Sequence, residues 1–152
     1  MSFIGQFSAR LDAKNRIFLP AAFRKALQSE GTLDLVIRKD FFEDCIVVYP
    51  YARWQEEIAA VRARLNRFDN AQQMVYRKLV SEALEVQLDG SGRLLVPKAL
   101  LERVGISQDV LFVGMENTIE IWAAHAAGAD EGQNFMTDKA FADELKGFMA
   151  GE

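Results

Sequence analysis

The sequence predicts an α+β fold in which two similar β-rich units pair within one chain and are joined by two helices. A ten-residue pattern occurs twice, as LDAKNRIFLP at 11–20 and as LDGSGRLLVP at 88–97. Each copy precedes a short helical pattern and two strand-like runs, and the stretch between the copies has the apolar spacing of helices. A lone hairpin with a short helix cannot bury itself in water, whereas two such units cover each other. We therefore expect an intrachain pseudo-dimer joined by a helical hairpin.

Each copy of the pattern predicts a strand, a tight turn and a second strand. Asp12 and Asp89 stand where an Asx turn begins, because a carboxylate there accepts backbone N–H bonds from residues further along the turn. Asn15 and Gly92 occupy the turn position that tolerates a positive φ angle. The two turns are therefore predicted to have the same conformation.

A short helix and two further strands follow each hairpin. Pro20 and Pro97 end the second strand and suit the first turn of a helix, and Gly31 and Gly105 suit its end. Alternation along the strands and i, i+4 spacing in the helices predict a core shared by both copies. The predicted core residues are Ile17, Leu19, Phe23, Leu27, Leu35, Ile37 and Val47 in the first copy, with Leu94, Val96, Leu100, Val104, Leu111, Val113 and Ile119 in the second.

The chain is expected to divide into four parts. Residues 1–51 form the first unit, 52–84 the helical connector and 85–123 the second unit. Within the connector, Asn70 is the expected N-cap of the second helix. Residues 124–152 form an acidic tail that we expect to be partly mobile or helical, since DKAFADELKGFM has weak amphipathic spacing.

The charges are unevenly distributed between the two units. A net charge of −4 argues against a general affinity for nucleic acid. Window 8–28 nevertheless carries five bases against one acid, whereas the aligned window 85–105 carries three of each. The fold places the same demands on both copies, so this difference favours a binding function for the first hairpin. Because one such hairpin would bind DNA weakly, we expect a homo-oligomer larger than a dimer, in which several copies bind together.

The residues that enzymes and metal sites use are sparse. Cys45 is the only cysteine, which excludes an intramolecular disulfide, and we expect it to be buried as a small apolar side chain. His125 is the only histidine and is expected on the surface. The sequence has no zinc-type Cys/His spacing and no phosphate-binding glycine loop. We therefore expect no catalytic residue, metal, cofactor or small-molecule substrate.

The apolar runs are short and interrupted by charges, and the N-terminus lacks the pattern of a signal peptide. These features predict a protein without membrane association that works in the cytoplasm, and DNA binding would place it at the nucleoid.

Two interpretations of the repeated Asp–Arg spacing compete. An arginine on a hairpin can bind guanine in the major groove, or it can brace its own turn through the aspartate four residues earlier. The cationic surroundings favour DNA contact for the first hairpin, and the balanced charges favour bracing in the second. The candidate DNA-binding residues are Arg10, Lys14, Asn15, Arg16, Arg24 and Lys25, and the residues assigned to holding the turns are Asp12, Asp89 and Arg93.

The paired D-x-x-x-R motifs, with the later segments VYP…W and FVG…IEIW, resemble the MraZ family over roughly residues 1–123. The resemblance implies tandem AbrB-like swapped-hairpin units. It also implies a transcriptional regulator of the bacterial cell-division and cell-wall gene cluster. Such a regulator binds short direct repeats in double-stranded DNA upstream of its own operon as a ring-like homo-oligomer. The chain departs from the family at Asn15, where glycine is usual, and after Ala123, where no family motif is found.

Two other functions compete with DNA-binding regulation. One is an antitoxin-like protein-interaction module with DNA-binding autoregulation, in which the acidic tail would bind a partner. The other is a structural ring without a DNA role, which gives no reason for the charge difference between the two hairpins.

Overall fold

The computed structural model describes residues 2–31, 33–124 and 135–151, and it is a mixed α+β structure. Both copies have the predicted order of strand, turn, strand, helix, strand and strand. The elements are β1 (Gln6–Arg10), β2 (Arg16–Phe18), α1 (Ala21–Ser29), β3 (Asp34–Lys39), β4 (Cys45–Pro50), α2 (Tyr51–Arg64), α3 (Asn70–Ser81), β5 (Leu84–Gln87), β6 (Arg93–Leu95), α4 (Lys98–Arg103), β7 (Asp109–Gly114), β8 (Ile119–Ala123) and α5 (Asp138–Ala150).

The strands form one six-stranded antiparallel sheet and one two-stranded ribbon. The sheet has the order β1-β7-β8-β4-β3-β5, so β1 of the first unit lies on β7 of the second, and β5 of the second lies on β3 of the first. β4 and β8 pair at the centre, and β2 pairs with β6 in the ribbon. Each unit therefore places its first two strands against strands of the other.

The main core lies between the inner face of the sheet, the ribbon and the helices α1 and α4. All fourteen predicted core residues are buried. Three of them, however, do not belong to this core: Val47 lies in a second cluster, and Leu111 and Val113 point away from the core, which β7 contacts through Val110 and Phe112. The prediction was wrong by one residue in strand phase, because a strand buried on both faces shows no alternation.

The connector helices α2 and α3 cover the outer face of the sheet. Trp54 and Leu79 pack there against Val47 and Tyr49. The predicted N-cap of α3 was wrong by one residue: Asp69 precedes the helix, and its carboxylate accepts the N–H of Gln72. Aspartate and asparagine are about equally favourable at an N-cap, so residue type alone does not distinguish position 69 from position 70.

The remaining expectations on local structure concern the helix ends and the tail. Pro20 and Pro97 each stand immediately before the helix, at the N-cap and not within the first turn. Part of the tail is helical: α5 begins after Thr137, whose hydroxyl accepts the N–H of Ala140. Cys45 is buried, as expected. His125 lies outside the described residues.

No helix in the described part of the chain is both long and apolar enough to cross a lipid bilayer.

Candidate nucleic-acid interface

The two D-x-x-x-R turns have the same hydrogen bonds. One carboxylate oxygen of Asp12 accepts the backbone N–H groups of Lys14 and Arg16 at 2.8 and 2.9 Å, and the other accepts Arg16 Nε at 2.8 Å. Asp89 binds Arg93 identically, with 2.9 Å to its N–H and 2.8 Å to its Nε. The predicted Asx turns are therefore confirmed, and both arginines brace their turns through Nε.

This arrangement favours the ionised form of both aspartates. The N–H of Arg16, and after it the N–H of Lys14, hold the pKa of Asp12 below its ordinary value of 3.8. The N–H groups of Arg93 and Ser91 lower the pKa of Asp89 in the same way. Each turn therefore retains a negative charge that fixes its arginine at neutral pH.

The ribbon brings the two turns onto one surface. Arg93 Nη1 lies 3.8 Å from the Asp12 carboxylate, so the first aspartate faces both arginines. In the ribbon register Arg16 is opposite Leu95 and Phe18 is opposite Arg93, which places these four side chains on one face. The four side chains differ in exposure: the arginines are partly covered, whereas Phe18 and Leu95 are more than half exposed.

Arg24 crosses from the first unit to the turn of the second. Its Nη1 donates to the carbonyl of Ser91 at 3.4 Å, and a Cβ added at Gly92 would lie 2.6 Å from Arg24 Cδ. Gly92 has a φ of +86°, a conformation that glycine adopts readily and that residues with a side chain rarely adopt. Glycine at this position therefore permits both the backbone conformation of the turn and the close approach of Arg24.

The other predicted DNA-binding residues differ in their exposure and in their contacts. Lys14 is exposed in the first turn, and Asn15 takes the positive φ of 61° that the sequence predicted. Lys25 is exposed on α1. Arg10 ends β1, where its guanidinium binds Gln108 at 2.8 Å and lies 3.7 Å from Asp109.

Sequence reasoning missed two members of this surface, Phe18 and Leu95. The signal for them was present, since residues one position from the buried Ile17 and Leu94 must face outward in a strand. An exposed apolar pair between two arginines can contact thymine methyl groups, while the guanidinium groups bind guanine edges or phosphates.

One cluster in the described residues has metal-binding groups close together. Ligand atoms of Asp40, Cys45 and Glu120 lie within 4.8 Å of one another. Burial raises the pKa of the Cys45 thiol to about 12, which keeps it protonated, and Glu120 accepts a hydrogen bond from Trp122 Nε1 at 2.9 Å. These atoms are arranged as hydrogen-bonding and apolar groups, so we assign no metal to them.

The sequence model of the MraZ family, described as "MraZ protein, putative antitoxin-like", matches residues 2–78 and 79–126. "Transcriptional regulator MraZ" of Phocaeicola vulgatus is 43% identical over 98% of this chain and 94% of its own length. The protein of the same name from Bacteroides fragilis is 43% identical over 99% of this chain and 92% of its own length. A third, from Yersinia pestis, is 34% identical over 79% of this chain and 78% of its own length. The chain therefore belongs to the MraZ family, a family of transcriptional regulators and not of enzymes.

Proposed function

We propose that the protein is a sequence-specific regulator of transcription that inserts its ribbon into the major groove of double-stranded DNA. The observation that carries this proposal is the meeting of both D-x-x-x-R turns on one ribbon, with Arg93 Nη1 3.8 Å from Asp12 and Arg24 against the second turn. A two-stranded ribbon fits the width of the major groove. The Nε of each arginine is bound to the aspartate of its own turn, so the turn sets the orientation of the terminal nitrogens.

The residues have different roles in this proposal. Arg16 contacts guanine, because it lies among the cations of the first unit, while Asn15 contacts the groove edge from the turn. The other cations, Arg10, Lys14, Arg24 and Lys25, bind phosphates, which positions the ribbon without reading sequence. The second-unit residues Asp89 and Arg93, with Asp12, hold the two turns in register.

The exchange of strands between the units supports a tandem AbrB-like swapped-hairpin fold. β1 pairs with β7 and β5 with β3, as expected when each hairpin completes the sheet of the other unit. In this proposal residues 1–51 and 85–123 are the two units, 52–84 the connector and 124–152 the tail.

The acidic composition supports multivalent binding. A net charge of −4 repels DNA, so a single ribbon is expected to bind DNA weakly. A ring-like homo-oligomer larger than a dimer would place several ribbons on several short direct repeats and gain affinity through effective concentration. We place these repeats upstream of the protein's own operon, in the cell-division and cell-wall gene cluster, and the protein in the cytoplasm at the nucleoid.

The test is fluorescence anisotropy with a labelled fragment from upstream of the protein's own gene, beside a scrambled fragment of equal length. We expect tight binding of the first only, with a log–log salt slope of about 0.9 per phosphate contacted. Light scattering on the same samples should give an assembly larger than a dimer. Equal affinity for both fragments, or a flat salt response, would contradict the proposal.

An antitoxin-like interaction module with autoregulation is the second candidate. The description of the family and the exposed apolar side chains of α5, among them Phe148 and Met149, favour it. It predicts that a protein partner binds through α5 and changes DNA affinity. Substitution of both residues by serine should then remove partner binding without changing the affinity of the free protein for DNA.

A further inference from the structure

A cavity that the proposed DNA interface does not use lies between β3, the helices α2 and α3, and α4. Its volume is about 400 Å³, within the usual range for small-molecule sites. Apolar side chains form much of its wall, namely Phe41, Val61, Val75 and Leu79, and Arg38 joins them from β3. The cavity therefore combines an apolar wall with a cation.

Two of the three nitrogens of the Arg38 guanidinium are buried without a hydrogen-bond acceptor. Only 5% of the residue is exposed, and its Nε and Nη1 are fully buried without a hydrogen-bond acceptor. Its guanidinium lies over the ring of Phe41, 4.4 Å from the centroid, and makes no ion pair in the described part of the chain. Removing a guanidinium from water without an acceptor is strongly unfavourable, so an anion at this position would restore the lost interactions.

The other cations of the cavity already have partners. Lys78 and Arg103 both bind the carboxylate of Glu82, at 2.6 and 3.2 Å. Lys39 donates to the backbone carbonyls of residues 40 and 43. Arg38 is therefore the cation whose charge remains available to a bound molecule.

Two nearby carboxylates do not pair with Arg38. Asp40 accepts the N–H groups of Phe42 and Glu43 at 3.1 and 3.0 Å, which fixes it in its own turn. Glu57 has one buried oxygen that also lacks a partner. Glu57 is thus the internal group that could compete with a bound anion for Arg38.

We propose that this cavity binds a small organic anion, with a carboxylate on Arg38 and an aliphatic or aromatic body against Phe41, Val61, Val75 and Leu79. The site is separate from the ribbon and needs no DNA, so it stands independently of the proposed function. It would give the protein an effector site beneath the connector helices.

The experiment uses hexanoate as the probe, with hexan-1-ol and acetate as probes that lack the charge and the apolar body. Methyl-resolved NMR titration of the full chain should show hexanoate shifting the methyl signals of Val61, Val75 and Leu79, with weaker effects from both controls. Arg38→Met should weaken hexanoate binding by about tenfold or more, the effect of losing one charge-assisted hydrogen bond. The matched control Arg64→Met, an exposed cation on α2 outside the cavity, should bind like the wild type. Equal binding of hexan-1-ol, or unchanged binding by Arg38→Met, would overturn the proposal.

Thermal unfolding without any added anion decides whether Arg38 has an internal partner. In the proposed state Arg38→Met removes an unpaired buried charge, so the midpoint should rise, and Glu57→Gln should change it independently. A lower midpoint for Arg38→Met, with a non-additive effect of Glu57→Gln in the double variant, would show that the two residues pair with each other. That result would overturn the proposal, because no cation would then be available for a ligand.

Discussion

The two turns of the ribbon share one set of hydrogen bonds and differ in the residues at their tips. Each aspartate binds two backbone N–H groups and one arginine Nε at nearly equal distances. The first turn has Lys14 and Asn15 where the second has Ser91 and Gly92. The comparison shows that both turns are braced in the same way, whereas the residues at their tips, which a ligand would contact, differ.

The crossing of Arg24 partly offsets the difference in charge between the two turns. A cation of the first unit lies on the turn of the second, beside Ser91 and Gly92. Along the sequence the charges of the second hairpin are balanced. In the folded protein, however, Arg24 of the first unit lies beside this hairpin and adds its charge to that of Arg93. The charge asymmetry along the chain is therefore reduced on the folded surface.

The largest expected effect concerns what the two halves share. Ile17 and Leu94 are opposite each other in the ribbon and are almost fully buried. Ile17→Ala and Leu94→Ala should each lower the free energy of unfolding by about 2–5 kcal/mol, because each leaves a cavity in the same core. Urea unfolding followed by circular dichroism measures this, with the exposed Leu95→Ala as the control. A large cost in one half only would mean that the two units do not share a core.

The next effect tests whether the two arginines have diverged. Arg16→Ala should weaken specific DNA binding by about 1–3 kcal/mol per subunit, the usual contribution of a bidentate base contact. Arg93→Ala should leave affinity near that of the wild type and lower stability by at most about 1 kcal/mol. Anisotropy at one fixed salt concentration and thermal melts separate the two effects. If Arg93→Ala abolishes binding while the fold and oligomer stay intact, both turns read DNA and the inference from charge is wrong.

A smaller effect is expected at the positive-φ positions. Gly92→Ala should lower the free energy of unfolding by about 1–2 kcal/mol, because a side chain is disfavoured at this φ and would displace Arg24. Asn15→Gly should change it by less, since both residues adopt the conformation. Thermal melts of both variants measure the difference. Equal destabilisation by the two changes would show that the turns are not distinguished by the Arg24 contact.

The smallest effect is the pH dependence that both turns share. The folded pKa values of Asp12 and Asp89 lie below the ordinary value of 3.8, so their contribution to stability is complete above that value. It is lost as the pH falls through the lower folded values, because protonation removes the acceptor for the N–H groups and for arginine. Asp12→Asn and Asp89→Asn should each reduce the acid dependence of stability, measured as urea midpoints between pH 2 and pH 5. Unchanged dependence in both variants would exclude the turns as its source.

The local structure was predictable because it depends on neighbouring residues. The motif fixed the Asx turns at Asp12 and Asp89, since the acceptor and its donors lie within four residues of each other. The phase of β7 was not predictable, because Val110, Leu111, Phe112 and Val113 are all buried apolar residues without alternation. Contacts between distant residues carry no local signal, which is why the reach of Arg24 to the second turn and the isolation of Arg38 were visible only in the structure.

The exchange of strands has a consequence for how the chain folds during synthesis. Arg10, at the end of β1, binds Gln108, which is 98 residues later in the sequence. At typical bacterial elongation rates, β1 leaves the ribosome about 5–20 s before its partner strand does. The edge of β3 stays unpaired until β5 is made, and the edge of β1 until β7 is made, and such edges are sites of mispairing with other chains. Neighbouring nascent chains of the same protein on one messenger can therefore pair with these edges in place of the correct strand. The length of the connector sets how soon the correct strand is made.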